Sequence, residues 1–511
     1  MLKFKNFLFP LILVGTFHSC KIYKRVDLPK QDGIQGYQGS NPSEESQIAD
    51  ANTKRLEIYN LERPFIKNPD QLEWGLAMSG GGIRSATYNF GALKALYDLG
   101  LLQKMQIISS VSGGGYTSFG LYANYENHKS EGKPFGFYSF DDSVFLKQGC
   151  TKQGQGNFVT NGKYLLALIS PPKGAFNIYR RRIERGFSYG QSPSFKLTNL
   201  NTEIKRGEAP YFIINTTQAA QKESDWLSSV VEFTPAFYGN PELGLTEWNE
   251  SYIADWSEAI TMSAAALRFK LLNKVPYNGD AISTSYMALS DGGHSENLAA
   301  ISLIRRGVKN IVVIDAEHNR DYSFDGYIKL KNELKEELNL HLEIETIDNF
   351  IDNNKNKSQL NLETAVHTGT ISRIPLNDGS VSSLILNIYY VKMSMPENTL
   401  TLRANSDLVN QGRNENDKVE ILSCVDKKGN KCKKHDCNSL DKYVPQDLKS
   451  LALSWVHDYA NFLDSKKKWK RLGYTFPHTT TADQSFFRDQ LRAFIGLGYL
   501  QASELNEILQ N

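Results

Sequence analysis

Two glycine-rich turns hold the residues that could do chemistry. In Ser110-Val111-Ser112-Gly113-Gly114 a serine follows a strand-like run, Gln106 to Val111, and precedes a helix-like run, Tyr116 to Tyr125. A serine on a sharp strand-to-helix turn projects its hydroxyl out of the sheet. It also sits at a helix N-terminus, whose partial positive charge favours an alkoxide-like transition state. Small neighbours let strand and helix pass closely. The pattern reads as a nucleophile elbow whose first glycine is replaced by Ser110; alone, it reads equally as a βα turn capped by serine. The earlier turn, Gly80-Gly81-Gly82-Ile83-Arg84, exposes consecutive backbone N–H groups that no side chain blocks. That suits an oxyanion hole, whose donors must lie about 3 Å from a developing negative oxygen. A dinucleotide fingerprint fails because Ser85 stands at the third glycine position, and a P-loop fails for want of Gly-Lys-Ser/Thr. A third piece, Asp291-Gly292-Gly293, lies in a turn ahead of a helix-like run and is weak evidence by itself. Upstream, Ala259 to Ala266 is a small-residue helix suited to close packing near such a site.

The elements that must position these turns follow from periodicity. Leu72 to Met78 alternates as a buried strand, and Ser85 to Leu102 carries Phe90, Ala92, Leu93, Leu96 and Tyr97 at helical spacing. The opening therefore reads strand, glycine turn, helix, strand, glycine turn, helix: a βαβ unit with right-handed crossover that starts a parallel sheet. Both turns lie at the C-terminal ends of strands, where open α/β sheets place their sites. Further strands are expected at Tyr211–Asn215, at Lys309–Ile314 and as a pair around Asp378-Gly379 within Ile371–Met393. Helices are expected at Glu258–Leu267, Asn297–Arg306, Leu448–Leu463 and Gln484–Leu509.

The N-terminus reads as targeting rather than fold. Lys3 and Lys5 precede an apolar run from Phe7 to Phe17 that ends at Ser19-Cys20. The run falls far short of the roughly 20 residues that span a membrane. Residues 1–20 are expected to be a signal peptide with Cys20 as a candidate lipidation site, and 21–70 a flexible tether. Residues 71–511 are expected to form the catalytic domain and its C-terminal extension, exported and anchored at a bacterial cell envelope. With Cys20 acylated, Cys150, Cys424, Cys432 and Cys437 remain, an even number compatible with two disulfides. The 511 residues carry 58 Lys and Arg against 56 Asp and Glu, so no global field for nucleic acid exists. Aromatics make up 11%, which suits a large core with apolar clefts. No HExxH or EF-hand loop occurs, and no metal or cofactor is expected.

Four motifs in order, SGGGIRSA, SVSGGGY, AITMSAAAL and SDGGHSENL, resemble the patatin-like phospholipases, in a form also similar to the cytosolic phospholipase A catalytic domain. The segments Phe476-Pro477-His478 and Glu363 to His367 resemble large bacterial members. The resemblance implies a three-layer α/β/α domain with a mainly parallel central sheet and C-terminal helical additions. It implies a lipid acyl hydrolase with a Ser–Asp dyad: Ser112 as nucleophile and Asp291 as base. Gly81 and Gly82 would bind the oxyanion, with Gly80 and Gly113 as further donors, and Arg84 would face the lipid phosphate or steady the loop. The implied partners are a phospholipid or other acyl-ester lipid and a membrane surface. The alternatives are a Ser-His-Asp esterase with a late histidine such as His457, or an inactive lipid-binding lipoprotein. His294, His367 and His478 receive no role.

Overall fold

The computed structural model describes residues 61–130, 172–187, 195–218, 230–240, 244–248, 254–264, 274–276, 286–319, 322–354, 364–373, 385–395, 448–449, 452–453, 455–456, 459–460, 476–478, 486 and 488–510. All lie in one compact unit, Ser43–Asn511. Cys20, the other cysteines, His457 and the Asp378-Gly379 turn lie outside the described residues.

Twelve strands form one sheet: β1 (Trp74–Met78), β2 (Ile107–Val111), β3 (Tyr211–Gln218), β4 (Val230–Phe233), β5 (Phe237–Asn240), β6 (Gly244–Glu247), β7 (Lys274–Pro276), β8 (Tyr286–Ser290), β9 (Asn310–Asp315), β10 (Leu340–Glu343), β11 (Val366–Arg373) and β12 (Ile385–Lys392). Their order is β10-β11-β12-β9-β1-β2-β3-β4-β5-β6, with β8 joined to β3 and β7 to β8. The five strands from β12 to β3 run parallel. The strands on either side pair antiparallel. The sheet is thus mixed around a parallel centre, with helices packed against it in an α/β/α arrangement. β2, β3 and β9 are buried along their whole length, as strands covered on both faces must be.

Two helices begin at the glycine turns, α1 (Gly82–Asp98) and α2 (Gly113–Ser130). The C-terminal helix Arg488–Ser503 is integral to the domain, lying against α1 at near-backbone contact. A Cβ at Gly91 would meet the Ile495 carbonyl oxygen at 1.9 Å, and one at Gly498 the Tyr88 carbonyl oxygen at 2.0 Å, so both crossing points need glycine. The Tyr88 hydroxyl donates to Gln501 Oε1 across this crossing at 2.6 Å.

Two expectations from periodicity shift. The helix expected at Asn297–Arg306 is shorter, Ile301–Arg305. Its lead-in turns on Glu296, whose carboxylate accepts the N–H groups of Leu298 at 2.6 Å and Ile301 at 3.1 Å. Order also begins before Leu72. Ile66 is in the core and Glu62 is fully buried. Arg306 donates through Nε and Nη2 to the two Glu62 carboxylate oxygens, both at 2.7 Å, and through Nη2 to Glu232 Oε2, also at 2.7 Å. Burial pushes the Glu62 carboxyl up against the pull of Arg306. Polarity along 61–70 hid this anchor, because a buried charge reads as surface until its partner is known.

Removing one partner from a buried ion pair leaves an uncompensated charge inside the protein, at a cost of about 3–5 kcal/mol. Arg306→Ala is expected to destabilise the domain by that order in urea unfolding, and a surface pair such as Arg63–Asp70 by less than about 1 kcal/mol when Arg63 is replaced.

Candidate active site

The two glycine turns meet back to back. A Cβ at Gly113 would stand 2.2 Å from the Gly82 carbonyl oxygen, and one at Gly114 would stand 2.3 Å from that of Met78. No other residue fits either position without moving backbone. Ser79 fastens the junction: its carbonyl accepts from Gly114 N at 3.1 Å, and its hydroxyl oxygen accepts from Ala316 N at 2.8 Å, tying the end of β1 to the end of β9.

Between these turns Ser112 takes φ 48°, a left-handed conformation that costs a non-glycine residue about 1–2 kcal/mol. Its surroundings hold it there. Ser112 N donates to Ser263 Oγ at 2.8 Å, and Ser263 Oγ donates to the Asn215 carbonyl at 2.6 Å. Ser263 ends the helix Trp256–Ser263, the small-residue element seen in the sequence. The Asn215 amide donates to Ser109 Oγ at 2.9 Å and to the Ser110 carbonyl at 3.1 Å. Ser110, the departure at the head of the elbow, is accommodated. Its hydroxyl lies 3.1 Å from Ser118 Oγ on α2.

β8 pairs with β3 through Thr217 and Ser290 and so delivers Asp291 to the same end of the sheet. Ser112 Oγ donates to Asp291 Oδ2 at 3.2 Å. The other carboxylate oxygen accepts from Gly293 N at 2.8 Å, which fixes the plane of the acid. Gly292 is required for the approach, since a Cβ there would lie 2.3 Å from the Asn215 carbonyl oxygen. Burial pushes the Asp291 carboxyl from 3.8 up to about 6, against the pull of the Gly293 and Ser112 hydrogen bonds.

The first turn divides its donors. Gly80 N donates to the Asn297 carbonyl at 2.9 Å, so Gly80 is spent on structure and is not an oxyanion donor, contrary to the sequence expectation. Gly81 and Gly82 hold positive φ, 138° and 62°. Gly82 opens α1, where the helix itself leaves N–H groups unsatisfied; Gly81 lines the cavity beside Ser112. Arg84 is 1% exposed, and its Nε donates to the Ala316 carbonyl at 3.0 Å. Its Nη2 lies 2.8 Å from where a Gly81 Cβ would be, directly behind the loop. Burial lowers the Arg84 guanidinium to about 10, with Glu317 and Asp315 acting to raise it. Of the two tasks expected of Arg84, steadying the loop is the one this geometry serves.

A cavity of about 320 Å³ opens over Ser112 and Asp291, lined also by Gly81, Arg84, Asn297, Glu317, His318 and Asp325 among others. The described residues that line it are glycines and residues with polar or charged side chains. No described Phe, Tyr or Trp lines it, and Tyr122, Phe212 and Trp256 pack against one another in the core. Asn297, Glu317, His318, Asn319 and Asp325 had been given no role. Glu317 to Asn319 follow the C-terminal end of β9, the end where this class of sheet places its sites, and that rule was the available signal. His294 lines the cavity and its Nδ1 lies 3.1 Å from Ser290 Oγ. His478 borders the site from outside, accepting from Asn319 N at 3.4 Å. His367 does not line the cavity; its Nδ1 lies 2.9 Å from Thr346 Oγ1, and burial lowers it to about 4. Among the described residues no group of three or more His, Cys, Asp or Glu is placed to hold a metal ion. No described helix is long and apolar enough to cross a membrane.

Residues 76–304 match the family model of the patatin-like phospholipases, the interval that contains both turns and the Asp291 segment. Among solved structures the chain is similar to human GIVD cytosolic phospholipase A2, at 12% identity and a TM-score of 0.49, over 91% of this chain and 63% of that one. The complex of that enzyme with methyl gamma-linolenyl fluorophosphonate aligns at 13% identity and 0.49, over 92% and 64%. VipD from Legionella pneumophila aligns at 10% identity and 0.25, over 84% and 91%. The chain thus spans less than two thirds of the length of the cytosolic phospholipase structures. No curated protein matches it in sequence.

A carboxyl raised by burial makes the folded state bind its proton more tightly than the unfolded chain. Its contribution is therefore full below 3.8 and is lost as pH rises through 6. At pH 8 the Asp291 charge costs the fold on the order of 3 kcal/mol. Asp291→Asn keeps an acceptor for Gly293 N without the charge. It is expected to raise the urea midpoint at pH 8, and the advantage is expected to shrink as pH falls through about 6.

Proposed function

Residues 76–304 being a patatin-like phospholipase domain, we propose that the protein is a lipid acyl hydrolase that works through Ser112 and Asp291 alone. The observation that carries this reading is the direct contact between Ser112 Oγ and Asp291 Oδ2, 3.2 Å long, at a serine held in a strained elbow. The acid reaches the nucleophile without an imidazole between them, which favours the dyad over a Ser-His-Asp triad. The pair is complete, which argues against an inactive lipid-binding protein.

In the proposed reaction Ser112 Oγ attacks the ester carbonyl carbon while Asp291 takes its proton. The carbonyl oxygen becomes an oxyanion beside Gly81 and Gly82, at the N-terminus of α1, where backbone donors and the helix dipole stabilise it. When the tetrahedral intermediate collapses, the ester C–O bond breaks and Asp291 returns the proton to the leaving alcohol. A water, deprotonated by Asp291, then attacks the acyl-serine; the acyl C–Oγ bond breaks, Asp291 returns the proton to Ser112 Oγ, and the fatty acid leaves. Burial gives Asp291 the properties this cycle needs. At about 6 it is ionised at neutral pH, yet is a stronger base than an exposed aspartate.

Ser112→Ala and Asp291→Asn are each expected to lower kcat on a phospholipid or lysophospholipid by more than about 10³-fold, and the double variant to fall no further, because residues acting as a unit are not additive. In the wild type kcat/KM is expected to fall tenfold per pH unit below about 6, the limb on which Asp291 becomes protonated. Additive losses or a flat profile to about pH 4 would contradict the dyad.

The proposed setting is a cell-envelope membrane, with Cys20 lipidated and the chain up to about residue 60 as a leash. One acyl chain anchors only marginally, whereas several hold firmly. Mass spectrometry of the native protein is expected to find a lipid-modified Cys20 at its N-terminus; an unmodified chain starting at Met1 in the cytosol would refute this.

A further inference from the structure

Asn297 occupies the seam between the two parts of the site. Its carbonyl accepts from Gly80 N at 2.9 Å. Its carboxamide oxygen would stand 2.1 Å from a Cβ on Gly80 and 2.5 Å from one on Gly293, so it is wedged between the oxyanion loop and the turn that carries Asp291. Its amide nitrogen donates to Glu317 Oε1. Glu317 is in turn fixed at the end of β9: its N–H donates to Asp315 Oδ1 at 2.8 Å, and a Cβ at Gly326 would stand 2.4 Å from its Oε2. Three elements therefore converge on one carboxamide: the loop after β1, the turn after β8 and the segment after β9.

We propose that Glu317 is a positioning residue for the hydrolysis, acting through Asn297 to clamp the glycine loop against the Asp291 turn. An ionised carboxylate only accepts, so it selects the carboxamide orientation in which nitrogen faces Glu317 and oxygen faces the two glycines. With no acceptor in its place the amide is free to flip, and the spacing between the oxyanion donors and the dyad relaxes. The carboxylates of Asp315 and Glu296, the cations Arg84, Lys329 and Lys392 and the Tyr390 phenol surround Glu317 electrostatically. Burial, then Asp315, push its carboxyl up to about 7, against Lys392 and the Asn297 bond. The clamp joins the Asn297–Glu317 side-chain bond to the backbone bond between Gly80 N and the Asn297 carbonyl, and neither residue has to touch the scissile bond.

The proposal rests on the Ser112–Asp291 hydrolase reading, and the experiment separates the two. Glu317→Ala, Asn297→Ala, the double variant, Glu317→Gln and Ser112→Ala are assayed for kcat and KM. The competent sites of each variant, Ser112→Ala apart, are counted by titration to completion with a fluorophosphonate. A displacement of about 1 Å costs on the order of 100-fold in rate. Each alanine variant is expected to lose ten- to hundredfold in kcat per titrated site, with KM within about threefold and the double variant no worse. Glu317→Gln, which keeps an acceptor oxygen, is expected to recover most of the rate. If Glu317→Ala yields no titratable serine, the isosteric Asn297→Asp replaces it, since it sets carboxylate against carboxylate and is expected to show the same kcat loss. Wild-type kcat in the alanine variants, a loss confined to KM, additive losses, or a Gln variant as slow as Ala would each overturn the clamp. Activity remaining in Ser112→Ala would instead overturn the hydrolase reading.

Discussion

Backbone touching backbone between two turns is the constraint on which the site depends. Gly113 lies against the Gly82 carbonyl and Gly114 against that of Met78, at separations that leave no room for a Cβ. This contact brings the N-terminal ends of α1 and α2 side by side at the end of β1 and β2. Ser112 stands at the junction, immediately before α2. A single methyl at either glycine would push the turns apart and move Ser112 away from Gly81 and Gly82, its proposed oxyanion donors.

The strain of that arrangement is held by polar contacts behind it. Ser112 is kept at positive φ by a relay through Ser263 to the Asn215 carbonyl, and the Asn215 side chain braces Ser109 and Ser110. Ser302 Oγ lies 2.7 Å from Asn215 Oδ1 and 2.5 Å from Glu232 Oε1, so the brace continues into the buried Glu62–Arg306–Glu232 cluster. The segment just before the first strand is thereby connected to the elbow through side chains alone. Asp291 carries a cost of a different kind: a carboxylate in a site that disfavours its charge, which makes it a better base and a poorer contributor to stability.

The glycine turns were legible in the sequence because a close turn restricts residue type locally, whereas Ser112 and Asp291 were singled out only by the order of four motifs, each weak alone. A run of three glycines marks a tight turn without knowledge of the fold; the serine turn becomes an elbow only beside the other motifs. The parallel strands were legible for a similar reason, as short apolar runs between such turns. The supporting groups were not. Asn297, Glu317, Arg306 and Glu62 act through partners that are 20 to 244 residues distant in the chain, and a polar residue carries no local mark of what it will meet. Gly80 was misread for the same reason. Its N–H looks free in the sequence and is taken by the Asn297 carbonyl in the fold. The antiparallel flanks of the sheet were hidden too, since pairing direction depends on connections that periodicity does not describe.

The central claim is that Asp291 directly activates Ser112 toward an acyl or phosphonyl electrophile. It is tested most directly by labelling the protein with a lipid-like fluorophosphonate, mapping the adduct by peptide mass spectrometry and timing its formation. The account predicts a single adduct on the peptide containing Ser112, formed at least about 100-fold more slowly in Asp291→Asn. An adduct on another residue, or an unchanged labelling rate in Asp291→Asn, would contradict it.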